Sequence, residues 1–175
     1  LVEYLIDNKI NTHFVFSSSA ATYGEPVLPP CKEEDPPLPL SPYGESKLMT
    51  EMMLSSYASA YGLNLAIFRY FNVCGADSKS RHGQAPTATH IIARVLEALR
   101  DEGDITINGK DYPTPDGTCV RDYVHVEDIA QAHLLAVEQT INGVYNLGTG
   151  TGYSNLQILN TALAVADKPA YPVGW

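Results

Sequence analysis

Short apolar runs alternate with longer helical patterns along this chain, and that alternation limits its fold more than any other feature. The run from Thr12 to Ser17 suits a strand buried on both faces of a parallel sheet. A long loop from Ala20 to Leu40 follows, with prolines at 26, 29, 30, 36, 37 and 39. Loops of that length are often functional. Ser41 is placed to cap the next helix, Pro42 suits its first position, and Gly62 suits its end, so the pattern predicts a helix from there to about Tyr61. Strands are then expected over Asn64–Phe71, Ile105–Asn108, Val120–His125 and Val144–Leu147. Helices are expected over Leu1–Asn8, Pro86–Arg100, Glu127–Gln139 and Ser154–Val165, with polar loops over Asn72–Ala85 and Gly109–Thr118. The order implies an α/β fold with a mainly parallel sheet.

Composition narrows the class. Hydrophobic residues make 45% of the 175 and charged residues 18%, which suits a soluble globular core rather than a disordered chain. A net charge of −9 argues against general affinity for nucleic acid or anionic membrane. No apolar run is long enough to span a bilayer. Cys31, Cys74 and Cys119 are odd in number and widely spaced, as expected of reduced thiols in a cytoplasmic protein, and no pair has zinc-ligand spacing. The first residues carry Glu3 and Asp7 and lack a basic start, unlike a signal peptide. The chain starts without Met and stops at Pro172-Val173-Gly174-Trp175, so the expectation is a piece of something longer.

The chemistry concentrates in Ser41-Pro42-Tyr43-Gly44-Glu45-Ser46-Lys47. Tyr43 and Lys47 lie four residues apart on a predicted helix, so phenol and ammonium share a face one turn apart. A free tyrosine, with a pKa near ~10, is a poor base at neutral pH. A neighbouring positive charge favours the phenolate, so the pair suits proton transfer at a hydroxyl or carbonyl. Ser17, Ser18 and Ser19 close the first predicted strand and place hydroxyls at a sheet end. Alone, they also suit a turn with local backbone bonds, and they do not form a G-x-S-x-G elbow.

Other features are weaker. Gly148-Thr149-Gly150-Thr151-Gly152 lacks the G-x-G-x-x-G spacing, so a flexible turn is favoured over a phosphate cradle. His13, His82, His90, His125 and His133 form no H-E-x-x-H, so no metal site is expected. His90, at a predicted helix start, is the histidine best placed for ligand contact. Arg121 is the best placed cation for a phosphate, with pairing to Asp122 as the structural alternative. On the 42–61 helix, Leu48, Met49, Met52, Met53 and Tyr57 form one apolar stripe, with Tyr43, Lys47, Leu54, Ala58 and Tyr61 roughly opposite. That arrangement suggests burial on both sides, the second against another subunit.

Several stretches carry a family resemblance: Phe16-Ser17-Ser18-Ser19-Ala20 with Tyr23-Gly24, the Ser41–Lys47 segment, Arg69-Tyr70-Phe71-Asn72, the run from Asp111 to Val126, and Tyr145-Asn146-Leu147-Gly148. On these residues the chain resembles the extended short-chain dehydrogenase/reductase family, with its NAD-dependent epimerases and dehydratases. Within it the likeness is to the 4-epimerases of UDP-sugars. Tyr-x-x-x-Lys marks only the superfamily, while Asp111–Val126 is more specific to that branch. The resemblance implies a Rossmann-like doubly wound sheet, second half only, plus part of a smaller substrate-binding domain. Residues 1–72, with 120–140 returning, would form the Rossmann part, and 73–119 and 141–175 mostly the substrate-binding part. Tyr43 would be the base at the sugar 4-hydroxyl. Lys47 would bind the nicotinamide ribose and lower the tyrosine pKa, and Ser19 would hydrogen-bond the sugar oxygen. Ser17, Ser18, Tyr70 and Phe71 would join Tyr43 and Lys47 around NAD. Asn72, His90 and Arg121 would join Ser19 and Tyr43 around a UDP-sugar.

The implied activity interconverts UDP-glucose and UDP-galactose through a 4-keto sugar, in a cytoplasmic enzyme that is a homodimer at full length. Alternatives are UDP-arabinose/xylose, UDP-N-acetylhexosamine or UDP-glucuronate epimerisation, or a non-catalytic Rossmann-like binding protein. A 4,6-dehydratase is disfavoured, because Ser19-Ala20-Ala21 offers no acid. The family's glycine-rich fingerprint, its adenosine-ribose acid and its early lysine have no counterpart here, nor do the last residues of its uridine diphosphate pocket. The isolated chain is therefore expected to bind NAD poorly and to have low solubility, with an open sheet edge.

Overall fold

The computed structural model describes residues 1–25, 30–85 and 89–175. Helix α1 spans Val2–Asp7 and strand β1 His13–Ser19, followed by a 3-10 turn at Ala20–Thr22. Helix α2 spans Pro42–Tyr61, β2 Asn64–Tyr70 and β3 Asn72–Cys74. Next come α3 (Ile91–Asp101), β4 (Ile105–Thr106), β5 (Val120–His125), α4 (Val126–Gln139) and β6 (Gly143–Leu147). The last elements are β7 (Gly152–Ser154), α5 (Asn155–Val165) and β8 (Val173–Gly174).

Three layers position the site. Strands β1, β2 and β6 form a parallel sheet in the order β1-β2-β6, with Ser17 opposite Phe68 and Ser19 opposite Tyr70. Because side chains alternate across a strand, Leu65 and Ile67 face one side of β2, and Ala66 and Phe68 the other. Leu65 and Ile67 pack with Leu54 and Ala58 of α2, Val2 of α1, and Phe14 and Phe16 of β1. Ala66 and Phe68 pack with Ala132 and Ala136 of α4. A second core joins α3 and α5 through Val95, Leu99, Leu159 and Leu163, beside β4 and β8, which pair in parallel. Between the two cores, β5 pairs in parallel with β3 and antiparallel with β7.

Helix α2 begins and ends where its caps dictate. The Ser41 hydroxyl accepts from the Gly44 amide at 3.1 Å, and Gly62 adopts a left-handed φ of 72° past the last turn. Gly44 lets the first turn lie against the 3-10 turn, because a Cβ there would sit 2.5 Å from the Ala21 carbonyl oxygen.

Several boundaries differ from those expected. Strand β1 runs past the apolar run that ends at Ser17 and closes at Ser19, as the three serines suggested, because they continue the ladder with β2. Helix α3 begins at Ile91 rather than Pro86; residues 86–88 lie outside the described residues, as do 26–29 of the proline-rich loop. Strand β3 occupies the start of the stretch read as polar loop, and β7 lies between the glycine run and α5. Strand β6 joins the first sheet, although 141–175 was assigned mostly to the other part. The sheet side of α2 carries Glu51, Leu54 and Ala58, so the apolar stripe is not its buried face. Met49, Met52 and Met53 are 69%, 62% and 52% exposed.

Candidate functional site

A cleft of about 690 Å³ opens at the carboxyl ends of β1, β2 and β6. Open α/β sheets bind ligands at this end of their strands. Ser19, Tyr70, Phe71, Asn72, Arg121 and Gly148 are among its lining residues. A second cavity of about 530 Å³ is lined by His90, Asn108, Tyr123 and Asn155, and Asn72 and Arg121 line both. Arg121 is exposed, and its Nη1 donates to the Val120 carbonyl at 3.0 Å. The pairing with Asp122 considered from the sequence does not form among the described residues. The Asp122 carboxylate instead accepts from the Thr149 amide at 2.9 Å and the Gly150 amide at 2.7 Å. Those amides of the glycine run are thereby occupied by a side chain of the protein.

Tyr43 and Lys47 project from the first turns of α2. Lys47 Nζ lies 5.8 Å from the centre of the Tyr43 ring and 5.2 Å from that of Phe16, and donates to the Ser17 carbonyl at 2.9 Å. The ammonium is therefore moored to the main chain of β1, and Tyr43 stays 56% exposed. The Ser19 hydroxyl accepts from the Ala21 amide at 3.1 Å, which fixes its place at the cleft.

The three serines part company because a strand alternates its faces. Ser17 meets Tyr70, hydroxyl to hydroxyl, at 2.7 Å. Ser18 points the other way, is 2% exposed, and donates to Glu51, so its side chain lies in the interior rather than at the cleft. Glu51 is also the partner of Arg69, whose Nη2 donates to it at 2.6 Å and Nε at 3.1 Å. Burial works against the Arg69 charge, but its bonds to Glu51 and Tyr23 outweigh that and hold its pKa above the ordinary value. Tyr23 lies under the guanidinium, 4.7 Å from ring centre to Cζ, and donates to Asn146 at 2.8 Å.

Tyr70 reaches the α4 side, where its hydroxyl meets His133 Nε2 at 2.8 Å. Burial raises the Tyr70 pKa, against the opposing bond from Ser17, so it is a phenol at neutral pH. Asn72 is held by its amide donating to the Asp122 carbonyl at 3.1 Å. His90 stands at the N-cap of α3 without a side-chain cap bond, at the wall of the second cavity. Sequence reading missed Glu51 and His133. Arg69, a charge inside an apolar strand, signalled the first; nothing local signalled the second.

Known proteins are similar to this chain over most of its length. A UDP-glucose 4-epimerase of Azospirillum brasilense is 49% identical over 160 residues, covering 88% of this chain and 46% of that protein. The structure of UDP-glucose 4-epimerase from Brucella ovis in complex with NAD superposes with a TM-score of 0.84 at 42% identity, covering 92% of this chain and 51% of the other. That of the Bifidobacterium longum enzyme, in complex with NAD+ and UDP, gives a TM-score of 0.89 at 35% identity over 99% of this chain and 54% of the other. The chain thus spans about half the length of the curated relatives it matches. Residues 1–148 match the NAD dependent epimerase/dehydratase family from end to end of the first sheet, and the chain belongs to that family.

Proposed function

We propose that this chain is the catalytic segment of a UDP-glucose 4-epimerase, interconverting UDP-glucose and UDP-galactose with NAD. One observation supports the reading: Lys47, beside Tyr43, is bonded to the main chain of β1 at Ser17, two residues before Ser19, which lines a cleft with Asn72 and Arg121, although Tyr43 and Lys47 do not themselves line it. The chain is 49% identical to such an enzyme.

The residues present suit a nicotinamide nucleotide. Lys47 gives one hydrogen to Ser17, and an ammonium has three, which leaves donors for ribose hydroxyls. The nicotinamide of NAD, held by these residues, would supply reversible hydride exchange at sugar C4. The remaining tasks fall to the protein. Tyr43, exposed at the start of α2, takes the proton of the 4-hydroxyl and later gives it back. Ser19, fixed by the Ala21 amide, hydrogen-bonds the same sugar oxygen. Arg121, between the two cavities, holds the diphosphate, and Asn72 orients the sugar beside it. His90 lies in the second cavity, where the nucleoside end would extend. Tyr70 and Phe71 close the cofactor side. Ser18 contributes through the main chain, its hydroxyl being engaged by Glu51.

The whole protein is proposed to act as a homodimer in the cytoplasm. The exposed methionine face of α2 supports a contact between copies. No described helix is long and apolar enough to cross a membrane.

The test is turnover of UDP-galactose with NAD by the full-length protein that contains this segment, beside a Tyr43→Phe variant of unchanged circular dichroism. Loss of general acid–base catalysis is expected to lower kcat by about 10²–10⁴-fold. Equal turnover by the variant would remove Tyr43 from the reaction.

A further inference from the structure

We infer that His133 is a positioning residue for the Tyr43–Lys47 site, acting through Tyr70 and Ser17. This rests on the epimerase reading for its catalytic meaning and on geometry for its existence. Four groups form one continuous chain: Ser17 Oγ to Tyr70 Oη at 2.7 Å, Tyr70 Oη to His133 Nε2 at 2.8 Å, and His133 Nδ1 to the Ile129 carbonyl at 2.9 Å.

Counting hydrogens gives the chain a direction. A main-chain carbonyl only accepts, so His133 Nδ1 must carry a hydrogen. In the neutral ring Nε2 then only accepts, and Tyr70 must donate to it. The Tyr70 oxygen in turn accepts from Ser17. Ser17 therefore directs its hydrogen to Tyr70. Phe68 holds the imidazole edge-on, with ring centres 5.1 Å apart and planes at 82°. The burial that raises the Tyr70 pKa keeps its hydroxyl a donor.

The chain ends where the chemistry starts. The same Ser17 whose hydroxyl is oriented by Tyr70 offers its carbonyl to Lys47 Nζ at 2.9 Å. A histidine on α4, on the far side of the sheet from α2, thus fixes the strand end that seats the lysine. Removing the acceptor at Nε2 frees Tyr70 and Ser17 to reorient, and Lys47 loses a fixed seat.

Two measurements test this. The first uses nitrogen-detected spectra of the histidine rings. The expected result is His133 as the Nδ1–H tautomer, with its Nε2 signal shifted by Tyr70→Phe. An Nε2–H tautomer, or a ring signal indifferent to Tyr70→Phe, would overturn the inference. The second compares His133→Phe, which keeps a ring, with His133→Gln, which keeps a hydrogen-bonding amide. Loss of one neutral hydrogen bond predicts a kcat about fivefold lower for His133→Phe, with the KM for UDP-galactose unchanged. His133→Gln should restore kcat to within about twofold. Equal losses in both variants, or a change confined to KM, would reduce His133 to a packing residue. If the protein turns over no UDP-galactose, the epimerase reading fails by itself. The ring spectrum then still decides, together with the Lys47 ammonium signal, which His133→Phe should shift and His133→Gln should leave in place.

Discussion

Replacing Glu51 with alanine removes the acceptor of a buried arginine while leaving the arginine in place. The Arg69 and Glu51 side chains are 7% and 5% exposed, so neither charge has water to fall back on. In the variant, Arg69 keeps, among the described residues, the Glu33 carbonyl at 3.4 Å and the face of Tyr23. Stranding one member of a buried pair costs about 3–5 kcal/mol. That is a large share of a typical stability of about 5–15 kcal/mol. With a urea slope of roughly 2–3 kcal/mol per molar, the midpoint should fall by about 1–2 M. Urea unfolding followed by circular dichroism measures this directly. The double replacement Glu51→Leu with Arg69→Met removes both charges, so it should recover most of the loss, less about 1 kcal/mol for the orphaned Ser18 hydroxyl. A Glu51→Ala midpoint within about 0.3 M of the parent would refute the argument, because a loss under about 1 kcal/mol is not that of a stranded charge. A double variant no better than the single would refute it too.

Gly44→Val should displace the start of α2, because even a Cβ would lie 2.5 Å from the Ala21 carbonyl oxygen. The expected cost is about 1–3 kcal/mol, read from the thermal midpoint, with a fall in kcat from the shifted Tyr43. Asp77 should titrate near a pKa of about 2, held down chiefly by the Arg81 side chain and also by the Arg81 amide. Its folded pKa lies below the unfolded value, so its contribution is complete above about pH 4 and lost as pH falls toward 2. Carboxyl carbon spectra check this, and Arg81→Gln should move the midpoint back toward the ordinary aspartate range.

Local rules made part of the fold legible. The limits of α2 were readable because Ser41, Pro42 and Gly62 act within one turn of themselves. The end of β1 was readable as a strand closing in hydroxyls, but not the contacts of each serine, since those depend on the register with β2. Strands β3, β7 and β8, of two or three residues, are too short to show an alternation, and they exist by virtue of their partners. At the site, the Tyr43–Lys47 pair followed from helical spacing, and Lys47's bond to a β1 carbonyl did not, because it joins residues 30 positions apart. The link from Tyr70 to His133, 63 positions apart, was likewise invisible. Ser18 was grouped with its neighbours by adjacency, whereas strand geometry sends it to Glu51.

A lysine seated on a main-chain oxygen has a particular kind of robustness. A substitution at position 17 keeps that oxygen as an acceptor for the ammonium, while the side chain there, through Tyr70 and His133, sets how firmly the oxygen is held. What it does not survive is a slip: sliding β1 by a single residue against β2 would turn the oxygen away and exchange the strand's two faces. Selection on the chemistry therefore reaches past the polar residues to Phe14, Val15 and Phe16, whose packing keeps that strand from sliding.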